Sequence, residues 1–194
     1  MVTGVDRYIE IYAKEHNIPI MEKDGIEFLI NYIKDSNIKS ILEIGTAIGY
    51  SSIKMALVDP NITITTIERD KERYSLAIDN INKCNLSSQI KVIFADALNI
   101  ELEDKFDFIF IDAAKSQSIK FFERYEKNLN FNGTIITDNM NFHGLVDGNL
   151  ENLSKNVKGI ITKIKLYKKW LDEKEDYLTE YLNIGDGLAV SKKI

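Results

Sequence analysis

The chain has a single cysteine, Cys84, so no intramolecular disulfide can form. That suits a reducing compartment, and a cytoplasmic location is expected. No His or Asn signature sits beside Cys84, which therefore reads as structural. Only two prolines and ten glycines occur, so a long flexible linker is not expected. No apolar run approaches the ~20 residues that span a bilayer, which argues against a membrane protein. Met1–Glu10 lacks an apolar core and carries acidic residues, so no secretory leader is read there. The net charge of −5 excludes a general basic surface for nucleic acid but leaves room for a local basic face.

What is present is an alternation of apolar periodicities within a length that suits one domain, 1–194. Helical spacing runs over Asp6–His16 and Lys23–Asp35, so residues 1–36 are expected to form N-terminal helices on or over a ligand site. Further helices are predicted at Tyr50–Val58, Lys71–Cys84, Ser118–Leu129 and Leu153–Trp170, the third ended by Asn130–Gly133. Strands are predicted at Ser40–Ile44, Ile62–Ile67, Ile90–Phe94, Phe106–Ile111 and Thr134–Thr137. Tyr177–Ile184 and Leu188–Lys192 read as two last strands joined through Gly185-Asp186-Gly187. Alternating strands and helices with a closing hairpin define an α/β class. The expectation is a doubly wound, Rossmann-like, mostly parallel seven-stranded sheet with an antiparallel C-terminal edge and helices on both faces.

Three apolar runs carry an acid at their ends, Glu43, Glu68 and Asp112, and a fourth ends in Asp138-Asn139; the first also runs into a glycine loop, Gly45-x-x-x-Gly49. The spacing is not that of a dinucleotide fingerprint, and no lysine follows Gly49 as in a phosphate loop. A glycine loop without phosphate-holding features, beside an acid, suits a cationic nucleoside such as S-adenosylmethionine; a helix-packing glycine pair is the plainer alternative. Glu68 ends the second strand, where an acid bonds ribose hydroxyls. Asp96-Ala97 follows the third strand and can meet an adenine edge, although Asp there also serves as a turn or capping residue.

Asp112 ends the fourth strand and Asp138-Asn139 follow the fifth, so neighbouring strand ends bring two carboxylates and an amide together. An all-oxygen half-shell fits Mg²⁺ or another hard divalent cation; a turn cap at Asp138 and an Asp112–Lys115 ion pair would explain the same residues. Lys115, close to two positive charges, would have its charged form disfavoured and could serve as general base. The chemistry uniting these groups is methyl transfer to a metal-oriented hydroxyl.

The motifs Leu42–Ser51, Ile111-Asp112-Ala113-Ala114-Lys115, Thr137-Asp138-Asn139 and Gly185–Ala189 resemble the metal-dependent O-methyltransferase family that includes catechol and caffeoyl-CoA O-methyltransferases. The likeness spans about residues 15 to 192. Within that family, Ile18–Lys23, Gly144-Leu145-Val146 and Gly185–Lys193 are most similar to the bacterial tRNA 5-hydroxyuridine methyltransferases. The resemblance implies that Met21, Ser51, Glu68, Asp96, Ala97 and Asp112 contact S-adenosylmethionine, and that Asp112, Asp138 and Asn139 bind Mg²⁺. It also implies a homodimer, and an acceptor in the tRNA anticodon loop, O5 of wobble 5-hydroxyuridine. A small catechol-like hydroxyaromatic is the alternative acceptor, favoured by the acidic net charge.

Lys155, Lys158, Lys163, Lys165, Lys168 and Lys169 fall on one predicted helix with Tyr167 and Trp170 among them. Such a stretch can hold a phosphate backbone and stack a base, or be a solvated amphipathic helix with Ile160, Ile161, Ile164 and Trp170 in the core. His143 either lines the acceptor pocket or is an ordinary loop residue, and His16 reads as structural.

Overall fold

A computed structural model describes residues 4–146, 148 and 151–194. Among these residues, six α-helices and seven strands follow in the order α1 (Val5–Glu15), α2 (Lys23–Asp35), β1 (Ser40–Ile44), α3 (Tyr50–Ala56), β2 (Thr63–Glu68), α4 (Lys71–Lys83), β3 (Ile90–Phe94), β4 (Phe106–Ile111), α5 (Ser118–Tyr125), β5 (Leu129–Thr137), α6 (Lys155–Asp172), β6 (Tyr177–Leu182) and β7 (Leu188–Lys193). They build one seven-stranded sheet in the order β3-β2-β1-β4-β5-β7-β6. The first five strands in that order are parallel, and β7 runs antiparallel to both β5 and β6.

Strand β4 shows why the sheet is covered on both sides. Phe108 and Phe110 point into one apolar cluster with residues of α1, α2 and α3, whereas Ile109 and Ile111 point into another with α5 and α6. All four are essentially inaccessible to solvent. Burying each such side chain stabilises the fold by roughly 1.5–3 kcal/mol, so a continuous apolar run is the sequence signature of this position.

Local chemistry sets the element ends. Asp70 caps α4 by accepting from Arg73 N at 2.9 Å, and Ser154 caps α6 by accepting from Val157 N at 3.3 Å. The Ser154 cap explains why α6 starts at Lys155 rather than at Leu153.

The segment predicted to end a helix at Asn130–Gly133 is instead part of β5. Helix α5 stops at Tyr125, a short 3-10 turn covers Glu126–Asn128, and the strand begins at Leu129. Leu129 pairs with Phe106 and Thr134 with Phe108, so the intervening residues are accommodated by a bulge with Asn132 at φ 59°. Asn130, read as part of that helix stop, donates its Nδ2 to Asp107 at 2.8 Å, and Asn128, just before it, donates to the carbonyls of Leu102 and Asp104.

The strand order reverses between β1 and β4, which places a crevice at the carboxyl ends of the central strands. No helix among the described residues is long and apolar enough to cross a membrane.

Candidate active site

The hydrogen-bond ladder continues one residue beyond each central strand. Gly45 N donates to Ile67 O at 3.0 Å, Asp112 N to Ile44 O at 2.9 Å, and Asp138 N to Ile111 O at 3.1 Å. Glu68, Gly45, Asp112 and Asp138 are thereby set side by side by sheet geometry rather than by loops. They line a cavity of about 380 Å³ with Ile20, Met21, Asp96, Ala97, Lys115 and Asn139. Met21 comes from the α1–α2 connection, so the N-terminal helical segment closes one wall of the cavity.

Gly45 is required twice over. Its φ is +103°, and a Cβ there would lie 2.1 Å from the Asp112 carbonyl oxygen. The glycine loop is held from beneath by side chains. Asn80 donates to Ile48 O at 2.9 Å, Thr46 and Thr66 hydroxyls meet at 2.6 Å, and Glu68 Oε2 accepts from Ala47 N at 2.8 Å. The other Glu68 oxygen accepts from the backbone N–H groups of Arg69 and Asp70. Glu68 therefore joins the loop to the end of β2 while facing the cavity.

Glu43 and Ser51 do not reach the cavity wall. Glu43 is completely buried and accepts from the hydroxyls of Ser51, Ser52 and, at 2.6 Å, Thr66. Burial pushes its carboxyl up to about 7, with the three hydroxyls pulling the other way. Their place in this structure is behind the loop, joining β1, β2 and the start of α3.

At the other end of the cavity, Lys115 Nζ donates to Asp112 Oδ1 at 2.8 Å. Asp138 is buried, and its carboxyl is raised to about 7, first by loss of solvent and then by the negative charge of Asp112. Asn139, at φ 60°, donates its backbone N–H to Asp138 Oδ1 at 2.7 Å and its Nδ2 to Asp186 Oδ2 at 3.1 Å. Among the described residues, no group of three or more His, Cys, Asp or Glu side chains forms a metal cluster. The candidate donor set is two carboxylates and one amide oxygen.

Asp96 Oδ1 accepts from Leu98 N at 2.9 Å, and its Oδ2 lies 3.8 Å from Arg69. Ala97 is buried beside it, its carbonyl accepting from Tyr125 Oη at 2.6 Å. Arg69, Arg73 and Phe121 are lining residues that motif reading missed, and Arg69 was legible in principle as the residue after Glu68. Asp186 was read as part of a hairpin turn and of a family motif, without a role at the site. His143 is mostly exposed, with its ring 3.6 Å from Asp186. His16 stacks on Tyr12 and bonds Tyr12 O at 2.9 Å, away from the cavity.

Tyr167 is buried in the core and shares a 2.8 Å hydrogen bond with Thr137, so it presents no stacking face. Trp170 is half-buried against Phe122 and Lys174. The aromatic part of the predicted basic-aromatic stretch is therefore packing.

The strand order, the glycine loop at the switch point and the acids at successive strand ends define a Rossmann-like methyltransferase. The family model for O-methyltransferases matches residues 7–194, and the chain belongs to that family of S-adenosylmethionine-dependent O-methyltransferases. An Arabidopsis thaliana protein provisionally described as a caffeoyl-CoA O-methyltransferase is 31% identical over 186 residues, covering 93% of this chain and 79% of its own. A Staphylococcus aureus structure with the same provisional description is 38% identical, with TM-score 0.93, covering 97% of this chain and 92% of its own. The O-methyltransferase from Bacillus cereus, solved in complex with SAH, shares the fold with TM-score 0.84 at 24% identity, covering 98% of this chain and 90% of its own.

Proposed function

We propose that this protein transfers the methyl group of S-adenosylmethionine, with Mg²⁺, to O5 of 5-hydroxyuridine at the wobble position of tRNA, giving 5-methoxyuridine. The observation that carries the chemistry is the convergence of Asp112, Lys115, Asp138 and Asn139 on the wall of a cavity that also holds Glu68 and Asp96. Glu68 and Asp96 would hold the ribose and adenine of the cofactor, and Asp112 would contact it as well. Met21 would cover it from the α1–α2 side.

The residues fit a hard cation. The negative charge of part-buried Asp112 acts on buried Asp138, a repulsion that a divalent ion would relieve. Asn139 turns its amide nitrogen to Asp186, leaving its oxygen arm for the site. Asp112, Asp138 and Asn139 would hold the ion; when bound, it acidifies and orients an acceptor hydroxyl. Lys115, within reach of Asp112, would in its neutral amine form take the hydroxyl proton as the oxygen becomes a nucleophile. The two adjacent oxygens of 5-hydroxyuridine, O5 and O4, could both approach one metal, as a catechol's two oxygens do.

Support for tRNA comes from the sequence likeness and from α6. Lys155, Lys158, Lys165 and Lys169 fall within about a quarter turn of one another at 3.6 residues per turn. Lys155, Lys165 and Lys169 are exposed, which suits phosphate contacts. A small catechol-like acceptor is the second reading, supported by the similarity to proteins described as caffeoyl-CoA O-methyltransferases and by the net charge of −5.

Purified enzyme, Mg²⁺ and labelled S-adenosylmethionine, offered tRNA containing 5-hydroxyuridine and a simple catechol in parallel, separates the two. Label in 5-methoxyuridine after nuclease digestion supports the tRNA reading. Label in the catechol alone supports the second.

A further inference from the structure

Asp186 sits in the loop between β6 and β7 and is 5% exposed. Its carboxylate does not line the cavity, yet it is spent on the turn that follows β5. Oδ2 accepts from Asn139 Nδ2 at 3.1 Å, and Oδ1 accepts from the backbone N–H of His143. The main chains are strapped together as well: Met140 N donates to Gly187 O at 2.9 Å and Asn141 N to Asp186 O at 2.8 Å. A Cβ on Gly187, whose φ is +85°, would lie 2.5 Å from Asn141 Cγ, so the contact is close-packed.

An ionised carboxylate accepts hydrogen bonds and cannot donate them. Facing Asp186, the Asn139 amide can therefore present only its NH₂ group. Amide planarity then turns Oδ1, the one atom of that side chain able to ligate a hard cation, to the other side, and Asn139 is on the cavity wall. We propose that Asp186 is a positioning residue that selects the metal-binding orientation of Asn139. This rests on the Mg²⁺ reading above.

The polarity of the contact can be reversed by two substitutions. In Asp186→Asn, the carbonyl of residue 186 stays on the fixed His143 N–H and its NH₂ group faces Asn139. Asn139 must then turn its oxygen to that NH₂ group and its nitrogen to the metal position. Adding Asn139→Asp restores an oxygen on both sides and returns the pair to its original total charge.

The test is Mn²⁺ binding to the protein by electron paramagnetic resonance, with S-adenosylhomocysteine affinity measured alongside. Asp186→Asn should weaken Mn²⁺ by about 10–100-fold, the usual effect of losing an outer-shell partner, while cofactor affinity holds. The double variant should recover most of the loss. Undiminished Mn²⁺ binding in Asp186→Asn overturns the inference, and so does a loss, through misfolding or otherwise, that the double variant fails to restore. A wild-type protein that binds no Mn²⁺ overturns the metal reading itself and this inference with it.

Discussion

The Asp112 carbonyl oxygen lies 2.1 Å from the point where any side chain on Gly45 would begin. The glycine loop and the end of β4 are packed backbone to backbone at the switch point, so the residues proposed for cofactor and for acceptor share one frame. Gly45→Ala must move that frame and also hold alanine at φ +103°. Unusual backbone conformations alone cost on the order of 1–3 kcal/mol. The variant should melt earlier and lose S-adenosylhomocysteine binding, by calorimetry, at least about tenfold, the equivalent of ~1.4 kcal/mol.

Glu43 links stability to pH. Its folded carboxyl is raised from 4.5 to about 7 by burial, so the folded chain holds the proton more tightly than the unfolded one. The stabilisation is complete below 4.5 and is lost as pH rises through about 7. Glu43→Gln lacks that loss. Relative to wild type, its melting temperature should therefore improve steadily across this window and then level off. A difference between the two proteins that does not change with pH would reject the linkage.

Lys115 is paired with Asp112 at 2.8 Å, and two roles for it can be separated. Lys115→Met should lower kcat by about 10²–10⁴-fold with little change in cofactor affinity. Lys115→Arg keeps the positive charge but cannot give up its proton, so it should not recover the rate. Recovery by arginine would assign Lys115 to charge pairing alone.

Removing divalent cations separates binding from chemistry. EDTA should abolish turnover while S-adenosylhomocysteine still binds, because Glu68 and Asp96 lie at the ends of β2 and β3, separated by β1 and β4 from Asp138 at the end of β5. Adding Mg²⁺ should restore the rate. Full turnover in EDTA would remove the metal from the mechanism.

The central sheet was legible because its strands are short, apolar and β-branched, and because β4 is buried on both faces. The β5 boundary was not. Asn130–Gly133 has the composition of a helix stop, and only pairing with the β4 edge turns it into a bulge. Acids at strand ends were legible for the same reason as the strands: ladder geometry puts them in one row. Their individual environments were not. Glu43 precedes the glycine loop in sequence, yet strand alternation sends it beneath the loop, to Ser51, Ser52 and Thr66. Asp186 looks like a turn residue until the sheet brings it to Asn139, 47 positions away. Tyr167 among lysines resembled a stacking platform, but helical periodicity with Ile164 and Leu171 puts it inward.

The most direct test of the account is the nucleoside composition of tRNA from a strain lacking this protein, measured by mass spectrometry. 5-Methoxyuridine should disappear and 5-hydroxyuridine accumulate, with recovery by the wild-type gene and none by Asp138→Ala. Unchanged 5-methoxyuridine in that strain, with no second enzyme making it, would contradict the account.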